Sequence, residues 1–262
     1  MTRCVPMVMV LLGSLSVAGA HDTWVETNTN LVRPGDAMHL NLMLGNHGND
    51  HRDFKLASKI DLAGCTLTVV APDGREYDVK SDLVDTGYAP KEGFWTGKFV
   101  ADQPGMYMVA HTLDAVHHAT RGIKSGKTCF VVTSSLDKVP RDNPGFDRPL
   151  GHALELVPLT NPVTPMGPGL PIEVQLLYQG KPLANARVAF VPRGTTLDQG
   201  FDDQFERMTD AEGRASYTPV DGNYILVSAH HAEPDQQGDG YEKTQFSATL
   251  TVYVPQLCPC CD

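Results

Sequence analysis

Hydrophobic and polar residues alternate with a period of two over most of this chain, and no long stretch carries apolar residues at helical spacing. A two-residue period puts successive side chains on opposite faces of a strand. Turn sequences such as Pro34-Gly35-Asp36 and Pro72-Asp73-Gly74 interrupt the alternation. The pattern predicts strands at 23–27, 37–44, 65–70, 93–100, 105–112 and 128–133, and again at 153–157, 170–178, 186–191, 214–218, 223–229 and 245–254.

The predicted strands form two series, separated by a segment with prolines, alternating charges and little to bury. We therefore expect an all-β protein with two antiparallel β-sandwich domains, Ig-like or transthyretin-like, joined by a short linker. The predicted divisions are a leader at 1–20, a first sandwich at 21–136, a linker at 137–149, a second sandwich at 150–255 and a cysteine-rich tail at 256–262.

The first twenty residues have the pattern of a cleavable signal peptide. Arg3 precedes a short apolar stretch, and Ala18-Gly19-Ala20 is a small-residue cleavage pattern. We expect cleavage after Ala20 and a periplasmic or secreted protein that begins at His21. Its α-amine and imidazole then supply two neutral nitrogen donors, which together close a chelate ring on a metal ion.

Composition narrows the possible partners. The formal charge of −10 becomes −11 when Arg3 leaves with the leader, because no acidic residue precedes Asp22. This balance argues against nucleic acid or an anionic membrane and is compatible with cations. No later segment has the roughly 20 apolar residues of a membrane helix, so we expect no membrane span after the leader is removed.

The ten histidines are unevenly spread. His47 and His51 lie in a glycine-rich loop after a predicted strand, which is either part of a site or a solvated polar loop. His111 falls on the apolar face of its strand, where a packed core histidine is the more common role. His230 and His231 end a strand of the second half.

Neutral imidazoles with an amine suit Ni(II), Co(II), Cu(II) or Zn(II) and do not suit calcium or magnesium. The sequence has no Gly-x-Ser-x-Gly, phosphate-binding glycine loop or His-Glu-x-x-His motif. We therefore expect a binding protein with no catalytic residues.

Five cysteines remain after the leader. Cys65 and Cys129 lie in or beside strands, and a disulfide between them and two free thiols are equally compatible with the sequence. Cys258, Cys260 and Cys261 crowd the last residues. Such a tail either binds a soft ion, Cu(I) or Zn(II), or forms scrambled or mixed disulfides.

Several short motifs together resemble the DUF4198 family over nearly the whole mature chain. In the first half they are His21-Asp22-Thr23-Trp24, Gly45-Asn46-His47 and the segment 105–111; in the second half they are the segments 156–162, 180–186, 209–213 and 222–224. The second-half motifs also recur in carboxypeptidase-regulatory-like and transthyretin-like sandwiches.

The resemblance implies a secreted or periplasmic metal-binding accessory of nickel and cobalt uptake. It places metal-binding histidines at His21, at His47, at His111, and at His230 or His231. Two departures from the family pattern are the loop, which reads Gly-Asn-His in place of Gly-His, and the cysteine tail.

The leading hypothesis is thus an exported protein that binds nickel, cobalt or copper through His21 and further histidines, for storage or for delivery to a membrane uptake transporter. Two alternatives stay open at this point. One is an Ig-like adhesion or carbohydrate-binding module without a metal. The other is a histidine-brace copper oxidase that acts on polysaccharide.

Overall fold

The computed structural model describes residues 21–45, 59–87, 89–90 and 92–257 and is nearly all β. The strands of the first half are β1 (Asp22–Thr27), β2 (Leu31–Val32), β3 (Ala37–Gly45), β4 (Cys65–Val70), β5 (Glu76–Asp78), β6 (Val84–Asp85), β7 (Trp95–Val100), β8 (Gly105–His117) and β9 (Thr120–Val132). Those of the second half are β10 (Leu154–Pro158), β11 (Ile172–Tyr178), β12 (Lys181–Pro182), β13 (Arg187–Pro192), β14 (Glu206–Met208), β15 (Arg214–Tyr217), β16 (Asn223–Glu233) and β17 (Lys243–Val254). A short 3₁₀ turn, Lys80–Asp82, is the helical element of the described residues.

The predicted strands are all present, and the all-β sandwich prediction is confirmed. The largest boundary errors lie at the β8–β9 hairpin. The first strand was predicted to end at residue 112 and ends at His117, and the second was predicted to begin at residue 128 and begins at Thr120. Most of these outer strand positions are exposed or half-buried, and an Arg121–Asp114 ion pair at 2.5 Å lies among them. His118 and Ala119, both with positive φ, make the tight turn that a two-residue hairpin requires.

The described residues form three sheets. We call β1-β3-β7-β6 the front sheet, the set formed by β10, β11, β12 and β15 the back sheet, and the remaining nine-stranded sheet the central sheet. The central sheet runs β14-β13-β16-β17-β9-β8-β4-β5, with β2 beside β9. Its halves join through β17 and β9, which pair in parallel, whereas the predicted sandwiches were purely antiparallel.

The front and back sheets cover opposite faces of the central sheet. Phe130 of β9 packs in a core with Val25 of the front sheet. Leu250 of β17 packs in a second core with Val174 of the back sheet. Its neighbour Thr249 points the other way, and its hydroxyl donates to the β1 backbone at 2.9 Å. Each half of the chain thus has its own core, but one sheet runs through both.

A buried ion pair joins the halves on the back face. Lys127 of β9 donates to Glu155 of β10, and each side chain is 2% exposed. The Glu155 carboxylate also accepts backbone N–H bonds from Leu150, Gly151 and His152, at 2.6–3.0 Å. Burying a charge is costly unless it is paired and hydrogen-bonded, and these contacts meet that requirement.

The predicted linker is packed against the back face of the central sheet. Its Phe146 and the adjoining Leu150 contact a small cluster that includes Met108 of β8. Asn143 is buried and donates to the Thr164 hydroxyl at 2.7 Å. Residues 137–149 therefore bury more than their composition indicated.

Cys65 and Cys129 are free thiols. Cys65 lies in the core under the front sheet, while Cys129 lies in the cluster on the opposite face. Because the central sheet separates the two side chains, the possible disulfide between them is not formed. The terminal cysteines lie outside the described residues, and no described helix is long and apolar enough to cross a membrane.

Candidate metal centre at the first strand

Strand β1 is the outer strand of the front sheet, yet all six of its residues are buried. Side chains of the central sheet cap the backbone carbonyls on its outer edge. Lys124 donates to the His21 carbonyl, the Thr249 hydroxyl to that of Thr23, and the Tyr224 hydroxyl to that of Thr27. Buried backbone acceptors must find donors, and here side chains take the place of a neighbouring strand.

Two acidic side chains of β1 reach into the second half of the chain. Asp22 is completely buried and bonds His230 Nε2 at 2.8 Å. Glu26 is also buried and accepts two bonds of 2.5 Å from Arg193. The first strand therefore belongs to the front sheet by pairing and is joined to the second half by side-chain hydrogen bonds.

His230 and His231 are separated by strand alternation. His230 lies on the front face beside Asp22, with 41% of its side chain exposed. His231 points to the back face, where its ring lies 4.4 Å from that of Tyr178 and its Nε2 lies 3.0 Å from Glu233. The sequence left open which of the two histidines lies near the N-terminal strand, and in the structure it is His230.

His21 is exposed next to Asp22, and its neighbours shift its pKa. Burial of part of the ring, the Lys124 ammonium and His117 lower the pKa of His21, against an opposing effect of Asp22. His117 comes from the β8–β9 hairpin, where its ring packs 4.0 Å from that of His118. The neutral imidazole, which is the form that binds metals, is thereby favoured.

His111 is fully buried, with both ring nitrogens in hydrogen bonds. Nδ1 lies 3.0 Å from the Thr66 carbonyl, which can only accept, so Nδ1 carries the proton and Nε2 accepts from the Thr23 hydroxyl at 2.9 Å. Cys65 Sγ also lies 3.2 Å from Nδ1. Burial lowers the pKa of His111 to about 4. A metal bound at His111 would have to displace these bonds.

His47 and His51 lie outside the described residues. The strand that precedes them ends at Gly45, which pairs with Asp22, so the chain leaves β3 next to His21. Among the described residues, no group of three or more His, Cys, Asp or Glu side chains is arranged to hold a metal ion. The N-terminal amine of a chain cut before His21 would add a donor that is not a side chain.

Three residues of this region were not singled out from sequence: Asp22, Lys124 and His117. Asp22 directly follows His21, but its burial depends on β1 lying over β9 and β17 of the central sheet. Lys124 is a charged residue in a polar stretch, Thr120–Lys127, that is typical of a solvated segment. Its position beside His21 follows from the β9–β17 register, which brings Lys124 opposite Ser247, itself opposite His230.

A family model described as "Domain of unknown function (DUF4198)" matches residues 18–233. No curated protein matches the chain.

Solved structures show distant similarity. A DUF4785 family protein from Legionella pneumophila is 14% identical, with 78% of this chain and 50% of that chain covered and a TM-score of 0.31. Salmonella α2-macroglobulin is 14% identical, with 90% of this chain and 15% of that chain covered and a TM-score of 0.27. The mouse nectin-like molecule 4 ectodomain is 12% identical, with 90% of this chain and 65% of that chain covered and a TM-score of 0.23. The chain thus spans half of the Legionella protein, and similarities at this level carry no functional argument.

Proposed function

This chain belongs to the DUF4198 family, and we propose that it is an exported protein that binds a first-row transition-metal ion at the N-terminus of its mature form. The carrying observation is the position of His21, which lies beside His117 and next to the Asp22–His230 pair. The proposed cargo is nickel, cobalt or copper, all of which accept neutral nitrogen donors. The protein stores the ion or passes it to a membrane uptake transporter.

The chelate begins with His21 itself. Cleavage after Ala20 frees the α-amine, whose ordinary pKa of about 8 lets a metal displace its proton at modest cost. The lowered pKa of the His21 imidazole supports the same chemistry, because fewer protons compete for the ring nitrogen. In the precursor this amine is an amide and is not a ligand.

His230 is the proposed second residue of the site, and Asp22 is its positioning residue. A carboxylate that holds one ring nitrogen of a histidine fixes the tautomer and orientation of the ring, as it commonly does around bound metals. The buried Asp22 bonds Nε2 of His230 in this way. His47, which follows Gly45 by two positions, and His117 are the candidates for a further donor.

The test uses the protein secreted with its own leader. Mass spectrometry should give a chain that begins at His21, and calorimetric titration with Ni(II), Co(II) and Cu(II) should give one tight site. A form with one alanine before His21 should lose that site. Tight binding to the extended form would contradict the proposal.

Two adjacent histidines supply a matched pair of variants. His230→Asn should weaken binding by at least about 10–100-fold, the usual cost of losing a residue that only orients a metal ligand. His231→Asn changes the neighbouring position on the opposite face and should leave the affinity unchanged. Equal effects of the two substitutions would remove His230 from the site. If no metal binds or raises the melting temperature, an adhesion or carbohydrate-binding role becomes the better interpretation.

A further inference from the structure

Three sulfur-bearing side chains form a cluster on the back face of the central sheet, under the predicted linker. Met106 and Met108 of β8 and Cys129 of β9 belong to this sulfur cluster, and each is at most 4% exposed. The half-buried side chains of Phe146 and Leu150 pack over it. The sulfur cluster therefore lies on the opposite face of the sheet from β1 and the proposed N-terminal site.

The register of β8 and β9 brings the three sulfur atoms within reach of one ion. Cys129 is directly opposite Met108 in this antiparallel pair. Met106 is opposite Val131 and is thus the diagonal neighbour of Cys129. Opposite residues have Cβ atoms about 4.5–5.5 Å apart and diagonal residues about 7–8 Å, distances that long side chains span. Because a methionine side chain has three rotatable bonds, its thioether can turn toward an ion without movement of the strand.

The Cys129 thiol is buried, yet none of the described residues forms a hydrogen bond with it. The buried thiol of the opposite face differs, since Cys65 Sγ lies 3.2 Å from Nδ1 of His111 and 3.4 Å from the Thr66 carbonyl. The Cys129 sulfur is therefore available as a ligand, and two thioethers share its surroundings. Thiolate and thioether donors together suit a soft ion such as Cu(I).

The charge balance of the sulfur cluster favours a monovalent ion. Lys127 lies on the same face two positions before Cys129, but it is already paired with Glu155. One Cys129 thiolate would cancel the charge of one Cu(I), and the two thioethers are neutral. A divalent ion with the same ligands would keep an uncompensated positive charge in apolar surroundings, which is costly.

We propose that Met106, Met108 and Cys129 form a buried binding site for a soft monovalent ion, Cu(I). This site goes beyond the proposed N-terminal site and does not depend on it. When the ion binds, an S–Cu bond replaces the S–H bond of Cys129, and the proton leaves to solvent. Burial raises the pKa of the free thiol to about 12, so Cu(I) competes with this proton, and binding should strengthen as the pH rises.

The test uses the full mature chain with Cys258, Cys260 and Cys261 replaced by serine, because the tail thiols are also ligands for Cu(I). Anaerobic competition with a chromogenic Cu(I) chelator should give one Cu(I) per chain. Cys129→Ala should abolish this binding, whereas Cys65→Ala removes the buried thiol of the opposite face and should leave it unchanged. Equal Cu(I) binding in the two variants would contradict the proposal. Circular dichroism checks folding, and Cys129→Ser replaces Cys129→Ala if the latter does not fold.

Two methionine variants test the thioethers without removing the thiol. Met106→Leu and Met108→Leu keep the apolar volume. Each should weaken Cu(I) binding by at least about tenfold, the lower limit for losing a residue that only orients a metal ligand. Met166→Leu, at a methionine of the second core that is 1% exposed, is the control and should leave the affinity unchanged. Equal affinities in all three variants would overturn the site.

The form with one alanine before His21 separates this inference from the proposed function. It should bind Cu(I) as the mature form does, while its Ni(II) binding is lost. Loss of both ions would overturn the sulfur site, as would X-ray absorption spectra of the Cu(I) protein that show nitrogen neighbours in place of sulfur. Absence of Cu(I) binding in every form would also overturn it and would leave a Ni(II) site at His21 standing.

Discussion

Replacing Glu155 by glutamine isolates the buried ion pair that joins β9 to β10. Gln is nearly the same size and keeps one carbonyl oxygen for the backbone N–H donors, but it leaves the Lys127 ammonium without its counterion. Both side chains are 2% exposed, so water does not take the place of the lost charge. Removing one partner of a buried pair typically costs about 3–5 kcal/mol.

For a chain of this size, about 1 kcal/mol corresponds to about 2–4 °C in melting temperature. Glu155→Gln should therefore melt about 6–20 °C below wild type at neutral pH. Glu76→Gln, an exposed carboxylate on β5, is the control and should melt with the wild type. Calorimetric scans and urea titrations give the two measurements.

The pH dependence supplies a second check on the same pair. Burial raises the pKa of Glu155, but Lys127 and the Leu150 N–H together lower it by more, so the pKa lies below the ordinary 4.5. A carboxyl with a depressed folded-state pKa stabilises the fold above its unfolded pKa, and this stabilisation is lost as the pH falls through the folded-state pKa. The difference in unfolding free energy between wild type and Glu155→Gln should therefore become smaller at acidic pH. A loss under about 1 kcal/mol at neutral pH would refute the buried-charge argument.

Three further predictions concern the joint under β1. Burial lowers the pKa of His111 from 6.5 to about 4, so the free energy of unfolding should fall by about 3 kcal/mol as the pH falls from 6.5 to 4. A folded His111→Gln variant should show a flatter pH profile of this free energy. Equal slopes for the variant and the wild type would contradict this. Gly126→Ala adds a Cβ only 2.9 Å from the Thr249 hydroxyl and should cost about 1–3 kcal/mol in urea unfolding, whereas an unchanged midpoint would show that β1 shifts freely. Arg193→Met removes two hydrogen bonds to the buried Glu26 and should cost about 1.5–3 kcal/mol, while Arg193→Lys should restore part of that loss.

Much of the fold could be predicted from alternation, since strand period and turn residues are local properties. The 65–70 strand was predicted to the residue. The β8–β9 extension was missed because most of its residues are exposed or half-buried and the polar, glycine-containing stretch 117–127 shows no clear alternation. In that stretch cross-strand pairs such as Asp114–Arg121 stabilise the strands in place of burial. Local sequence carries no sign of such pairs until the register is known.

The parallel pairing of β9 with β17 was beyond prediction for a different reason. It joins segments more than a hundred residues apart, and either strand has the same alternation whether its neighbour is parallel or antiparallel. That single pairing fuses two predicted sandwiches through one sheet. Lys124 and Lys127 lie three positions apart on β9 and so face opposite sides of this sheet, which gives two similar lysines unrelated partners.

The candidate site shows the same limit at closer range. The family resemblance placed metal-binding histidines at His21 and at His230 or His231, and alternation requires that these two adjacent histidines face opposite ways. Which of them faces β1 depends on register, and the Asp22–His230 bond settles it. The role of Asp22 could have been suspected only if β1 were already known to be buried along its whole length. An acidic residue on such a strand must find a partner, and a histidine on the face below is a fitting one.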